Sequence, residues 1–127
     1  MWSAASVNSR AFDYYLPLRK IRDHFQQNYS ESISLSDAAA IVGLEKKHFG
    51  KFFRSRIGIG FKQWTELIRL ERAMEIMRAR DHSIVEVAFA VGFHNVRTFE
   101  RVFKKHTLIT PREFRKTVAP RADARTA

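Results

Sequence analysis

The chain of 127 residues contains no cysteine and is poor in the residues that interrupt helices. Without cysteine it can form no disulfide, thiolate nucleophile or cysteine-ligated zinc site. Only five glycines and three prolines leave few breaks, so most of the chain is expected to be helical. The longest run without an acidic or basic residue is 87–96, ten residues. It is too short to span a bilayer, which needs about 18.

Basic residues strongly outnumber acidic ones. Lys and Arg total 23 against 13 Asp and Glu, which gives a net charge of +10 at pH 7. This excess favours a polyanionic partner, either nucleic acid or an anionic membrane surface. A basic chain without disulfides also fits the cytoplasm, where we expect it.

The two ends of the chain differ from its middle. Residues 1–16 are predicted to be a tail or linker and 119–127 a disordered tail, because both offer little to bury. Within the first tail, the aromatic stretch 12–16 is expected to pack on the domain. The domain itself is predicted over 17–118, with a last short helix that ends near Val118.

Two stretches of the domain repeat each other. Ser34 and Ser83 each precede an acidic residue by three positions, the pattern of a capping box at a helix start. The offset of 49 becomes 50 after one inserted residue, Asn95, so that Phe49 then matches Phe99. The repeat indicates two copies of one supersecondary unit.

Each copy is predicted to be a helix-turn-helix, a motif whose second helix can lie in the major groove of DNA. The copies cover about 34–57 and 83–107, and a long helix over about 61–80 joins them. That helix would span about 30 Å, close to the roughly 34 Å between successive major grooves on one face of B-DNA. One chain could therefore place two recognition helices in successive grooves.

The second helix of each copy has an apolar face and an opposite, mainly basic face. The outward positions, at i, i+3, i+4 and i+7, are Lys47, Gly50, Lys51 and Arg54 in the first copy and Arg97, Glu100, Arg101 and Lys104 in the second. Arg can donate two hydrogen bonds to guanine, Glu can accept a hydrogen bond from cytosine, and Lys can donate to guanine or to phosphate. Equivalent faces in both copies favour DNA over ordinary solvated surfaces. A membrane-surface helix is disfavoured, because core phenylalanines lie opposite the basic faces.

Over 16–116 the sequence resembles the DNA-binding domain of the AraC/XylS family of bacterial transcription regulators. The segments that carry the resemblance are 35–43, 53–58, 69–73, 84–93, 99–104 and 110–115. The resemblance implies an all-α, seven-helix, homeodomain-like domain in which a long central helix joins two helix-turn-helix subdomains. It also implies control of transcription by binding double-stranded DNA, usually as an activator that contacts RNA polymerase.

The resemblance also implies site residues. The family's base contacts come from the third and sixth helices, here at Lys46, Lys47, Gly50, Lys51, Asn95, Arg97, Thr98 and Arg101. Lys104 and Lys105 would lie toward the DNA backbone. The backbone amides at Ser34 and Ser83 could bind phosphate, as helix N-termini do.

Three residues depart from the family's pattern. Gly50 stands where a polar side chain is common, so the first helix is expected to read fewer bases. Glu45 replaces a small capping residue, which weakens that helix start. Leu108 replaces the glycine that matches Gly58, so either Leu adopts a left-handed backbone at a cost of about 1–2 kcal/mol or the turn is built differently.

No enzyme, cofactor or metal site is predicted. The sequence has no nucleophile elbow and no glycine-rich phosphate loop. The five histidines are expected to have no carboxylate partner one helical turn away, so no metal site is expected among them.

The alternative to specific DNA binding is a basic helical module that binds an acidic protein and has only non-specific affinity for DNA. Few residues precede Pro17, too few for the ligand or dimerisation domain of many family members. An excised C-terminal domain is therefore favoured over a stand-alone regulator. Such a domain is expected to be monomeric unless an N-terminal domain supplies a dimer contact.

Overall fold

The computed structural model describes residues 7–79 and 82–126, with side chains to Val118 in the second range. These residues form helices and no strand, which confirms the all-α prediction. The helices are α1 (Arg10–Tyr14), α2 (Leu16–Gln27), α3 (Leu35–Val42), α4 (Lys46–Ile57), α5 (Phe61–Ala79), α6 (Ile84–Ala90), α7 (Val96–Thr107) and α8 (Pro111–Thr126). The chain divides into two compact units, of which the N-terminal unit ends at Ile68 within α5.

The core of the N-terminal unit is a cluster of aromatic rings around Trp64. The ring centroid of Trp64 lies 5.1 Å from that of Phe12, 5.4 Å from Phe25 and 5.6 Å from Phe53. Tilted ring pairs at these distances are favourable beyond the apolar area that they bury. Helices α1, α2, α4 and α5 therefore meet at one tryptophan.

The core of the C-terminal unit is a row of phenylalanines. Successive ring centroids lie 5.2 Å apart for Phe93 and Phe99, 5.7 Å for Phe99 and Phe103, and 5.8 Å for Phe103 and Phe114. Phe114 is the counterpart of Trp64 at the predicted offset of 50. The repeat seen in the sequence is thus matched by equivalent core positions in the two units.

Both predicted capping boxes are present. The Ser34 hydroxyl accepts from the Asp37 N–H while the Asp37 carboxylate accepts from the Ser34 N–H, at 3.1 and 3.0 Å. The box at Ser83 has distances of 3.0 and 2.8 Å. Each box satisfies two backbone donors that a helix start leaves without a partner in the helix. The first helix of each repeat therefore begins where the sequence places it.

The turns after α4 and α7 both use a left-handed backbone. Gly58 has φ +102°, and Leu108 has φ +70° and ψ +2°. Of the two possibilities left open for Leu108, the left-handed backbone is the one adopted. Among residues 7–79 and 82–126 it is the only non-glycine residue with a positive φ.

The N-terminal end of the domain differs from the prediction. Helix α1 comes in addition to the seven helices that the family resemblance implies, and residues 1–6 of the predicted tail lie outside the described residues. Phe12 is buried as expected, but Tyr14 is 80% exposed and Leu16 57% exposed. The expectation that the whole stretch 12–16 packs on the domain is therefore wrong for these two side chains.

The C-terminal end differs as well. Helix α8 continues to Thr126, so the predicted helix end near Val118 is wrong and residues 119–126 continue the helix. Alanine and arginine dominate 119–125. They are strong helix formers, although Pro120 lies among them and cannot donate a backbone hydrogen bond within the helix.

Candidate nucleic-acid interface

Helix α4 presents a basic face that points away from its core. The predicted site residues on this helix are exposed, or half-buried in the case of the glycine: Lys46, Lys47, Gly50, Lys51 and Arg54. On the opposite side Phe49, Phe53 and Ile57 are fully buried. Burial of this apolar side fixes the rotation of the helix, and so it fixes which side chains face solvent.

Gly50 has a packing role. A Cβ atom built at this position would lie 3.1 Å from Cδ2 of Leu35 in the first turn of α3. This is closer than ordinary van der Waals contact, so a Cβ here would require the end of the Leu35 side chain to shift by a few tenths of an ångström. Glycine also leaves α4 without a side chain at the position that corresponds to Glu100 in the second repeat.

The two recognition helices begin differently. Glu45, the N-cap of α4, makes no side-chain capping hydrogen bond, as expected of a residue that replaces a small capping residue. Asn95 caps α7, because its Oδ1 accepts the Thr98 N–H at 2.8 Å. The carboxamide oxygen of Asn95 is thus occupied by the cap of the helix. The predicted base contact would then be made by its amide nitrogen.

Helix α7 presents the same pattern as α4. Its predicted site residues are either exposed (Arg97, Arg101, Lys104 and Lys105) or half-buried (Thr98 and Glu100). Phe99, Val102 and Phe103 on the opposite side are buried. The two repeats therefore bring equivalent positions to the outside of equivalent helices.

Within the part of the chain that the structure describes, the cations at the centre of each face are not neutralised by ion pairs. Among the described residues, Lys47, Lys51, Arg97 and Arg101 take part in no ion pair. Exposed cations of this kind can contact phosphates, and Arg can also read guanine edges. Each face therefore suits a polyanion with readable base edges.

At Ser34 and Ser83, where phosphate contacts are predicted, a carboxylate of the same helix already occupies the backbone N–H. The Ser34 N–H donates to Asp37 and the Ser83 N–H donates to Glu86. These backbone donors lower the pKa of both carboxyls below their ordinary values, so each helix start carries a negative charge. A phosphate at either position would have to displace that carboxylate, and both contacts stay predictions.

Arg56 is a residue of this surface for which the sequence predicts no role. Its guanidinium carbon lies 5.2 Å from the ring centroid of Tyr15 and 5.6 Å from that of Phe52. The spacing of His48, Phe52 and Arg56 at i, i+4 and i+8 is a signal that could have revealed this side of α4.

One expectation about the histidines is wrong. His82 Nδ1 lies 4.0 Å from Glu86 Oε1, one helical turn away. Over 7–79 and 82–126, no three metal-ligand side chains lie close enough to hold an ion. None of the described helices is long and apolar enough to cross a membrane.

Comparison with known proteins finds relatives over most of the chain. A family model described as a helix-turn-helix domain matches residues 38–117. An uncharacterized HTH-type transcriptional regulator of Staphylococcus aureus (strain MSSA476) is 30% identical over 98 residues, which are 77% of this chain and 13% of that protein. The chain thus spans only a small part of the length of this relative.

Solved structures share the fold. A transcriptional regulator from Chromobacterium violaceum, described as AraC-type, is 28% identical with a TM-score of 0.75 and covers 81% of this chain and 92% of its own. The DNA-binding domain of AdpA, a global transcriptional factor solved with a target DNA, is 24% identical with a TM-score of 0.78. It covers 83% of this chain and 95% of its own, and at that identity the likeness shows the fold alone.

Proposed function

The chain belongs to the AraC/XylS family of helix-turn-helix DNA-binding regulators, and from this premise we propose that it recognises a specific duplex sequence with α4 and α7. The family is not an enzyme family. The observation that carries the proposal is that equivalent helices of the two units both expose cations opposite buried phenylalanines. In the proposal each of these helices lies in a major groove.

The proposal divides the cations into two roles. Arg97 and Arg101 read base edges, because a guanidinium can donate two hydrogen bonds to guanine. Lys51 reads bases from α4, where Gly50 offers no side chain. Lys104 contacts phosphate, which positions the helix without reading sequence.

The proposed site is bipartite. Helix α5 has 19 residues, and at about 1.5 Å per residue its length is comparable with the roughly 34 Å repeat of the major groove. This length supports binding in successive grooves by one chain. A single chain would then read a non-palindromic sequence without a dimer partner.

The proposed biological role is control of transcription in the cytoplasm, by activation through contact with RNA polymerase. The description of the Staphylococcus aureus relative as a transcriptional regulator supports the first part. Contact with polymerase and the activating sign follow from the family resemblance. We expect this chain to act as a monomer when it stands alone.

The test is selection of bound sites from a random duplex pool at near-physiological salt. We expect two short conserved blocks whose centres lie about 10 base pairs apart. The double variant Arg97→Ala/Arg101→Ala should lose most of its affinity for the selected duplex. The matched control Lys20→Ala/Lys62→Ala removes the same charge from exposed positions outside α4 and α7 and should bind normally.

Two results would contradict the proposal. One is no enrichment, with an affinity that falls steeply with salt for every sequence, because this is purely electrostatic binding. The other is an equal loss in the two double variants. Either result would favour the basic module that binds an acidic protein.

A further inference from the structure

Residues 7–15, here called the α1 segment, lie against the recognition helix of the N-terminal unit. They precede the region 38–117 that the family model matches. The backbone N–H of Asn8 donates to the carbonyl of Ile57 at 2.7 Å. Ile57 is the last residue of α4, so the α1 segment satisfies one of the carbonyls that the end of a helix leaves without a partner.

Phe12 anchors the α1 segment in the core. Its side chain is 4% exposed, and its ring lies edge-on to Phe53 of α4 at 5.9 Å and against Trp64 at 5.1 Å. Asp13 ties the same segment to α2, because its carboxylate pairs with Arg22 at 2.7 Å. The α1 segment is thus fixed both to α4 and to the helix that follows it.

Tyr15 forms the outer contact with α4. Its ring lies edge-on to Phe52, with centroids 5.3 Å apart, and the Arg56 guanidinium lies over both rings. A cation over an aromatic face is attracted by the ring's electron density. Phe52 and Arg56 are one helical turn apart, so Tyr15 contacts two successive turns in the C-terminal half of α4.

The side of α4 that Tyr15 contacts can be compared with the equivalent side of α7 in the second repeat. The counterparts of Phe52 and Arg56 are Val102 and His106, which are 1% and 7% exposed. In α4 the same side is less buried, since Phe52 stays half-buried and Arg56 exposed even with Tyr15 in place. Tyr15, which lies outside the helix-turn-helix, thus supplies an aromatic contact to a side of α4 that is less buried than its counterpart in α7.

We propose that the α1 segment is a positioning element for α4 and that Tyr15 is its positioning residue. It stabilises the C-terminal half of α4, whose rotation the buried face sets, and so keeps Arg54 and the adjoining Lys51 turned outward. Release of the segment would loosen this half of the helix and weaken reading of DNA by the N-terminal unit. The inference about DNA rests on the proposed function, whereas the effect on α4 does not.

The first test is hydrogen exchange on the DNA-free chain. In Tyr15→Ala, amides 54–58 should exchange about tenfold faster than in the wild type, the factor expected from the loss of an aromatic and cation contact. Amides 64–67 of α5, in the same unit, should change little. Tyr15→Phe keeps the ring and should restore protection, and Leu16→Ala removes an exposed neighbour as the matched control.

The second test repeats binding to the selected duplex with the same variants. Tyr15→Ala should bind about tenfold more weakly, because α4 must be ordered on binding, and it should lose base preference in one block only. If amides 54–58 exchange equally fast in the wild type and in Tyr15→Ala, Tyr15 does not position α4. The same conclusion follows if the exchange rate of amides 64–67 rises as much as that of 54–58. If the wild type selects no sequence, the proposed function fails while the exchange data still decide the role of Tyr15.

Discussion

Leu108 is the one non-glycine residue with a left-handed backbone among the described residues. Its φ of +70° places the backbone of this residue in the left-handed region, where the leucine Cβ crowds the following carbonyl. The side chain is 72% exposed, so burial offers little compensation. Its N–H donates to the Lys104 carbonyl at 2.8 Å. The turn therefore ends α7 in the same way that glycine ends α4, at the expense of strain.

Replacing Leu108 by glycine should stabilise the C-terminal unit. The strain of about 1–2 kcal/mol is relieved, and the greater freedom of glycine in the unfolded chain offsets part of it, which leaves a gain of about 1 kcal/mol. Urea unfolding would measure the gain. The matched control, Gly58→Ala in the equivalent turn, should lose stability, and an unchanged or lower midpoint for Leu108→Gly would contradict the strain.

Two cations on the same face of α7, two helical turns apart, should respond differently to truncation. Arg97→Ala is expected to cost about 1–3 kcal/mol on the selected duplex and to relax the preference at one base pair. Lys104→Ala should weaken binding to every sequence alike and reduce the salt slope by about one. Titrations on the selected and a scrambled duplex at several salt concentrations would measure both. Indistinguishable variants would mean that base and phosphate contacts are not divided as proposed.

At the scale of the helices, the same device starts three of them. Besides the boxes at Ser34 and Ser83, the Thr110 N–H donates to Glu113 at 2.7 Å and the Thr110 hydroxyl accepts from the Glu113 N–H at 3.1 Å. The donated N–H is the main cause that lowers the pKa of the carboxyl in each box. Each carboxyl is therefore more acidic in the folded chain than in the unfolded one.

These shifts give the stability of the chain a definite pH dependence. A depressed folded pKa contributes stability above the unfolded pKa, and this contribution is lost as the pH falls through the folded value, below about pH 4. The triple variant Asp37→Asn/Glu86→Gln/Glu113→Gln should be less stable at pH 7 and lose less stability on acidification. Urea unfolding at a series of pH values would show both effects.

The control for the capping boxes is Glu45→Gln. Glu45 is also an acidic residue at a helix start but makes no side-chain cap, so this variant should follow the wild-type pH profile closely. A triple variant with the full wild-type acid dependence would contradict the assignment of that dependence to the boxes.

The elements that sequence predicts well are those whose signals are local. The starts of α3 and α6 follow from capping patterns within four residues. Helix α1 has only five residues, and the Asn8 hydrogen bond that joins its segment to α4 reaches Ile57, far along the chain. The close approach at Gly50 is likewise to another helix, at Leu35. Such contacts leave no periodic signal in the sequence.

At the scale of the whole molecule, two copies of one unit carry the basic faces. The offset between them was visible in the sequence because the same core and cap positions recur, and this was enough to place every predicted contact residue of α4 and α7 on an exposed or half-buried position. The net charge of +10 favours fast, non-specific encounter with DNA. In the proposed function, specificity comes from the few side chains at the centre of each face.

The most direct test of this account is to repeat the duplex selection with one central cation removed from each unit. With Lys51→Ala, base preference should flatten in one of the two blocks, and with Arg101→Ala it should flatten in the other, about 10 base pairs away. That pattern would assign one block to each unit. Flattening of the same block by both variants, or no change in either, would contradict the claim that both helices read DNA.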